Sequence, residues 1–109
     1  MMNIKWEDIR ELTYEQICKA MMEFCYEPNN SMTWNMMKTR IEGIIMPIVS
    51  RGLLHDAWVV CDSDLNTPDI VERNEVLLKV GKHVTQDDRL SITIFKLGPE
   101  GCSFTPIFS

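Results

Sequence analysis

The hydrophobic period of this chain changes at Trp58-Val59-Val60-Cys61-Asp62, and that change restricts the folds open to it. Before this stretch apolar residues recur at helical spacing; after it they alternate. The first pattern lays one apolar stripe along a helix, and the second lays one apolar face along a strand. The run Ala57 to Cys61 is short, rich in Val and bounded by Asp56 and Asp62, so it reads as a buried strand. A chain of 109 residues is one domain, 1–109, with a single modest core. Helices followed by strands within one such domain predict an α+β architecture. We expect two helices packed on one face of a small, mainly antiparallel sheet of about three strands.

The first helix is expected over Asn3 to Phe24, with Ile9, Leu12, Ile17, Ala20, Met21 and Phe24 on its buried face. Thr13 with Gln16 has the form of a capping box, but the apolar period runs through Thr13, so one helix is preferred. Glu27-Pro28-Asn29-Asn30-Ser31 breaks the chain, and Asn30 or Ser31 caps the next helix. That helix runs from about Met32 to Arg51 with Trp34, Met37, Ile41, Ile44, Ile45 and Ile48 as its stripe. Pro47 inside it removes an amide from the carbonyl of Gly43, which predicts a kink, with Gly43 easing a close approach. Arg51-Gly52 supplies the stop.

Beyond the central strand, Thr67 and Pro68 have the form of an N-cap and first helical residue, with a turn or two of helix over Asp69 to Arg73. Asn74 suits a left-handed exit. Glu75 to Val84 and Arg89 to Leu97 read as an antiparallel hairpin closed by Thr85-Gln86-Asp87-Asp88. In its second strand Leu90, Ile92 and Ile94 face one way, and Ser91, Thr93 and Phe95 the other. Gly98-Pro99-Glu100-Gly101 is a breaker. The globular part is therefore expected to be 1–97, and 98–109 a tail that either folds back or adds to a neighbouring chain's sheet.

Net charge is −5 with lysine and arginine scattered, which argues against broad contact with a nucleic-acid backbone. The longest uncharged apolar run, Gly43 to Val49, is far too short to span a bilayer. Cys18, Cys25, Cys61 and Cys102 contain no Cys-x-x-Cys pair and read as small buried hydrophobes in a reducing compartment. His55 next to Asp56 suggests a hydrolase pairing, but neighbours in a strand point to opposite faces. Asp62, Asp64 and Asp69 lack the glycine and distal glutamate of a calcium loop. We expect no catalytic residue, no cofactor and no metal. Eight methionines, six of them on or beside the helices, are core by default, and the surplus suits an adaptable protein-contact surface.

Taken in order, these residues resemble a known pattern. Tyr26-Glu27-Pro28-Asn29-Asn30, Thr33-Trp34, Arg51-Gly52-Leu53-Leu54-His55-Asp56, Val59-Val60-Cys61-Asp62, Asn66-Thr67-Pro68-Asp69, Arg73-Asn74 and Gly101-Cys102-Ser103-Phe104 are similar to the C-terminal domain of contractile phage tail sheath proteins. The likeness spans about Asn3 to Phe104, and its specificity lies in the ordered set. It implies a structural virion protein, located in the tail and assembled in the host cytoplasm, that lies against the tail tube. Its partners would be copies of itself or full-length sheath subunits, the tube protein, and baseplate or tail-terminator proteins, with no nucleic acid or membrane. Members carry an N-terminal arm and outer domains ahead of this region, whereas this sequence starts close to the helix, which implies a split or minimal subunit, a sheath-derived adaptor at the tail end or baseplate, or a fragment. Subunits of such sheaths add strands to one another. The expected contact residues are Cys102, Phe104, Ile107 and Phe108 in the tail, Leu90, Ile92 and Ile94 on an augmentable edge, and Asp62, Asn66 and Pro68 in the central loop. Simple turn chemistry is an equal account of that loop. The rival expectation is a small acidic adaptor that binds a host protein through its Met-rich helices.

Overall fold

A computed structural model of the chain describes residues 4–85 and 88–108. Its elements follow in the order α1 (Trp6–Met22), α2 (Ser31–Ser50), β1 (Leu54–Val60), α3 (Pro68–Glu72), β2 (Val76–Val84), β3 (Arg89–Gly98) and β4 (Gly101–Phe108). The four strands form one antiparallel meander in sequence order, β1-β2-β3-β4. α2 lies over β1, α1 lies over β3 and β4, and the two helices pack on each other. The architecture is α+β, as the change of period predicts.

Local chemistry explains where the elements begin and end. Asn30 caps α2 by accepting a hydrogen bond from the Thr33 amide at 3.2 Å. Gly52, at φ 81°, closes the same helix, and the amides of Gly52 and Leu53 turn back to the carbonyls of Val49 and Ile48. Asn74 takes φ 58° at the exit from α3, where a left-handed residue was expected. Asn29 ties this turn region together: its side chain accepts from the Trp34 indole at 2.8 Å and donates to the Glu75 carbonyl at 3.0 Å. The Glu-Pro-Asn-Asn break thus joins the entrance of α2 to the entrance of β2.

The core is a continuous layer between helices and sheet. Trp6, Tyr14, Ile17, Ala20 and Met21 of α1 and Trp34, Met37, Ile41, Ile45 and Ile48 of α2 are buried against Leu54, Ala57, Val59, Val76, Leu78, Val80, Val84, Phe95 and Leu97. The stripe of α1 differs from expectation. Leu12 is 59% exposed, while Trp6, Thr13 and Tyr14 are inside. Thr13 bonds the Ile9 carbonyl at 2.8 Å within a continuous helix, so it is no cap. Helical spacing allows two overlapping stripes here, and the one with the aromatic rings meets the sheet: Tyr14 packs edge-on against Trp6, Phe95 and Phe104.

One alternative is decided and one expectation is corrected. Within segment 98–109, Gly101–Phe108 folds back as the fourth strand; Leu97 pairs with Cys102, Phe95 with Phe104 and Ile94 with Thr105. Its side chains alternate, and Cys102 and Phe104 pack against the core. α2 runs through Pro47 to Ser50, and a side chain at Gly43 would meet nothing within 4 Å. Gly43 therefore serves no close approach. It lies on the exposed side of α2, where the carbonyl left without an amide by Pro47 can be hydrated. Within the hairpin turn, Gln86 and Asp87 lie outside the described residues.

Candidate functional site

The loop after β1 is built around Asn66. The chain turns at Asp62, whose carboxylate accepts from the Leu65 amide at 3.0 Å. The turn delivers the Asn66 side chain, 2% exposed, to the backbone of β2. There its Oδ1 accepts from the Leu77 amide at 2.7 Å, and its Nδ2 donates to the Leu77 carbonyl at 3.0 Å. One side-chain amide thus replaces a neighbouring strand just beyond the end of β1, bonding both backbone groups of Leu77. Asn66 is therefore an internal brace and not a contact residue. Asp62 and Pro68 remain exposed on the same loop.

The sheet has one covered and one open face. On the open face, the register places Trp58, Gly81, Ile92 and Phe108 in a single row across all four strands. The Trp58 indole lies over Gly81 so closely that a Cβ there would collide with its ring carbons. A glycine at this position lets a large ring lie flat across the sheet. Ile94 and Val60 are half-buried on the same face, and Leu90 is 39% exposed. β3 is bonded to β2 on one side and β4 on the other, so it is not an edge open to strand addition. Leu90, Ile92 and Ile94 belong to a face, not an edge. The edges are β1 and β4. At the end of β4, Ile107 and Phe108 are 58% and 54% exposed beside a register shift opposite Ile92 and Thr93.

The other chemical candidates disperse. Asp56 spends its carboxylate on the Ala57 amide at 2.8 Å. His55 faces His83 instead, with ring centroids 5.0 Å apart, and His83 Nε2 lies 2.6 Å from Asp88 Oδ1. Among the described residues no group of three or more His, Cys, Asp or Glu side chains forms a metal cage. No helix among them is long and apolar enough to cross a membrane. All four cysteines are free. Cys61 is buried as expected, and burial pushes its thiol up to about 12, so it is an inert donor to the Leu77 carbonyl. Cys25 is exposed, contrary to expectation.

Sequence reasoning missed a buried polar cluster under α1. Lys82 is fully buried, and its ammonium donates to Thr93 Oγ1 at 3.3 Å and sits 5.0 Å from the centre of the Tyr14 ring. The Tyr14 hydroxyl lies 3.3 Å from the same Thr93 oxygen. Ser91, directly opposite Lys82 in the sheet, is also buried. Burial lowers the lysine to about 8, and the nearby Arg10 charge pushes in the same direction. Strand alternation carries the signal: Val76, Leu78, Val80, Lys82 and Val84 share one face, so the lysine must point inward with its apolar neighbours.

Comparison with family models, curated proteins and solved structures finds no match to this chain.

Proposed function

We propose that this protein is a non-enzymatic assembly component of a contractile tail or related injection machine, a sheath or sheath-associated subunit placed around the tail tube. The ordered sequence likeness to sheath C-terminal domains suggests the class. The observation that carries the reading is the apolar row Trp58, Ile92 and Phe108 across the open sheet face, ending at the exposed edge of β4. A domain that worked alone would gain nothing from an apolar row ending on an edge strand, whereas a subunit that docks other copies would. Partners are further copies of this chain, full-length sheath subunits, the tube protein and baseplate or terminator proteins at the tail ends. The site of action is the virion tail, assembled in the host cytoplasm.

The test combines electron microscopy of the purified chain with removal of residues 107–109. Rings, helices or tail-bound copies are expected for the intact chain, and their loss with an unchanged circular dichroism spectrum for the shortened one. Equal assembly by both chains would overturn the contact role of the β4 end. A monodisperse monomer under all conditions would favour the rival reading, a small adaptor. That rival has one observation of its own: Met32, Met36 and Met46 of α2 and Met22 at the end of α1 are exposed at 71%, 44%, 36% and 47%.

A further inference from the structure

The buried polar cluster borders a groove of about 350 Å³ between α1 and strands β3 and β4. Trp6, Tyr14 and Phe104 supply apolar walls, and the hydroxyls of Ser91 and Thr93 lie at its base. Among the described residues, Arg10 and Arg89 line it together with one acidic side chain, Glu11. Lys82 stands directly behind Thr93 as a third cation. Among the described residues no carboxylate pairs with this lysine, and the one charge that acts on it, Arg10, has the same sign. This gathering of positive charge runs against a molecule whose net charge is −5.

A buried cation without a counter-charge is costly, and two remedies exist: the amine gives up its proton, or an anion enters. The surroundings favour the second. A partly enclosed groove with low-dielectric walls focuses a positive field. Guanidinium groups present planar forks of donors that match oxygen pairs on phosphate and carboxylate. Hydroxyls at the base add neutral donors, and the aromatic walls offer a surface to an apolar body attached to the anion.

We propose that this groove binds a small organic oxyanion, a phosphate ester or a carboxylate, with its charged head toward Arg10, Ser91 and Thr93, with Lys82 as the buried counter-charge, and its body against Trp6 and Phe104. The site is separate from the open sheet face and from the β4 end used in assembly.

Phenyl phosphate and benzoate serve as probes, titrated into the isotope-labelled chain with chloride at matched ionic strength as control. Saturable amide shifts at Arg10, Tyr14, Ser91 and Thr93 are expected, and the tighter probe identifies the head group. Arg10→Gln and Lys82→Met are each expected to weaken binding tenfold or more, while Lys96→Met on the open face leaves it within twofold. Arg10 is on the helix surface, so its variant keeps the test decisive even if Lys82→Met perturbs the core. No saturable shift with either probe at millimolar concentration would overturn the proposal. So would binding that Arg10→Gln leaves within twofold.

Discussion

Lys82 makes the stability of this domain depend on pH in an unusual direction. In the folded chain its amine titrates near 8, against an ordinary value of 10.5. Below about pH 8 both the folded and unfolded chains carry the proton, and the full penalty of a buried ammonium is present. Between about 8 and 10.5 the unfolded chain holds more protons, so stability rises with pH, by up to about 3 kcal/mol in total. Tyr14 acts oppositely above about pH 10, because burial raises its phenol and only the unfolded chain ionises at the ordinary value. Thermal unfolding followed from pH 7 to 9.5 is expected to show a rising midpoint. Lys82→Met is expected to flatten that rise and to raise stability at pH 7 by about 1–3 kcal/mol, since a flexible apolar chain of similar length replaces an unpaired charge. Two other residues have equally local consequences. Asn66→Ala takes the acceptor from the Leu77 amide and leaves its carbonyl with only the weak Cys61 thiol donor, and is expected to cost about 2 kcal/mol by urea unfolding. Gly81→Ala drives the Trp58 ring off the sheet and is expected to cost about 1–3 kcal/mol, with a red shift in tryptophan emission.

At the scale of elements, punctuation was the most legible part of the sequence. Gly52, Asn74, Pro68 and the Asn29-Asn30 break all act where their backbone chemistry placed them, and Thr67 stands at the N-cap of α3 without a capping bond from its side chain. The hairpin of β2 and β3 was equally plain, because Val76, Leu78 and Val80 recur at every second position, as do Leu90, Ile92 and Ile94. What failed was the assignment of faces and of the last strand. Helical periodicity cannot choose between the stripe with Leu12 and the stripe with Tyr14, because only the partner surface decides. β4 was hidden by composition. Serine, threonine and Pro106 interrupt its apolar pattern, and the Gly-Pro-Glu-Gly breaker reads as an ending when it is a reversal. An edge strand tolerates proline because amides on its outer side bond to nothing in the sheet. The candidate contact surface was legible only as residues: Leu90, Ile92, Ile94 and Phe108 were named, but the row they join depends on register with Trp58 and Gly81. Pro47 offers a test at this scale. Pro47→Ala supplies an amide to the Gly43 carbonyl in an exposed stretch of α2, and is expected to stabilise the chain by about 1 kcal/mol or more in urea unfolding.

For the molecule as a whole, the first helix and the last strand are partners. α1 rests on β3 and β4, and the Tyr14 and Phe104 rings meet with centroids 5.1 Å apart. Loss of Phe104 should therefore be felt across the domain: Phe104→Ala is expected to cost about 3 kcal/mol and to lower the thermal midpoint, whereas removal of 107–109 is expected to leave it nearly unchanged. The same closure sets the timing of biosynthesis. A ribosome releases α1 well before β4, and an emerging chain cannot complete the seat of Tyr14 until β4 has left the exit tunnel. During that interval the β4 side of β3 is vacant, and on a polysome the neighbouring nascent chains carry the same vacancy at high local concentration. Whether each strand returns to its own sheet or enters a neighbour's is then a race between intramolecular closure and encounter.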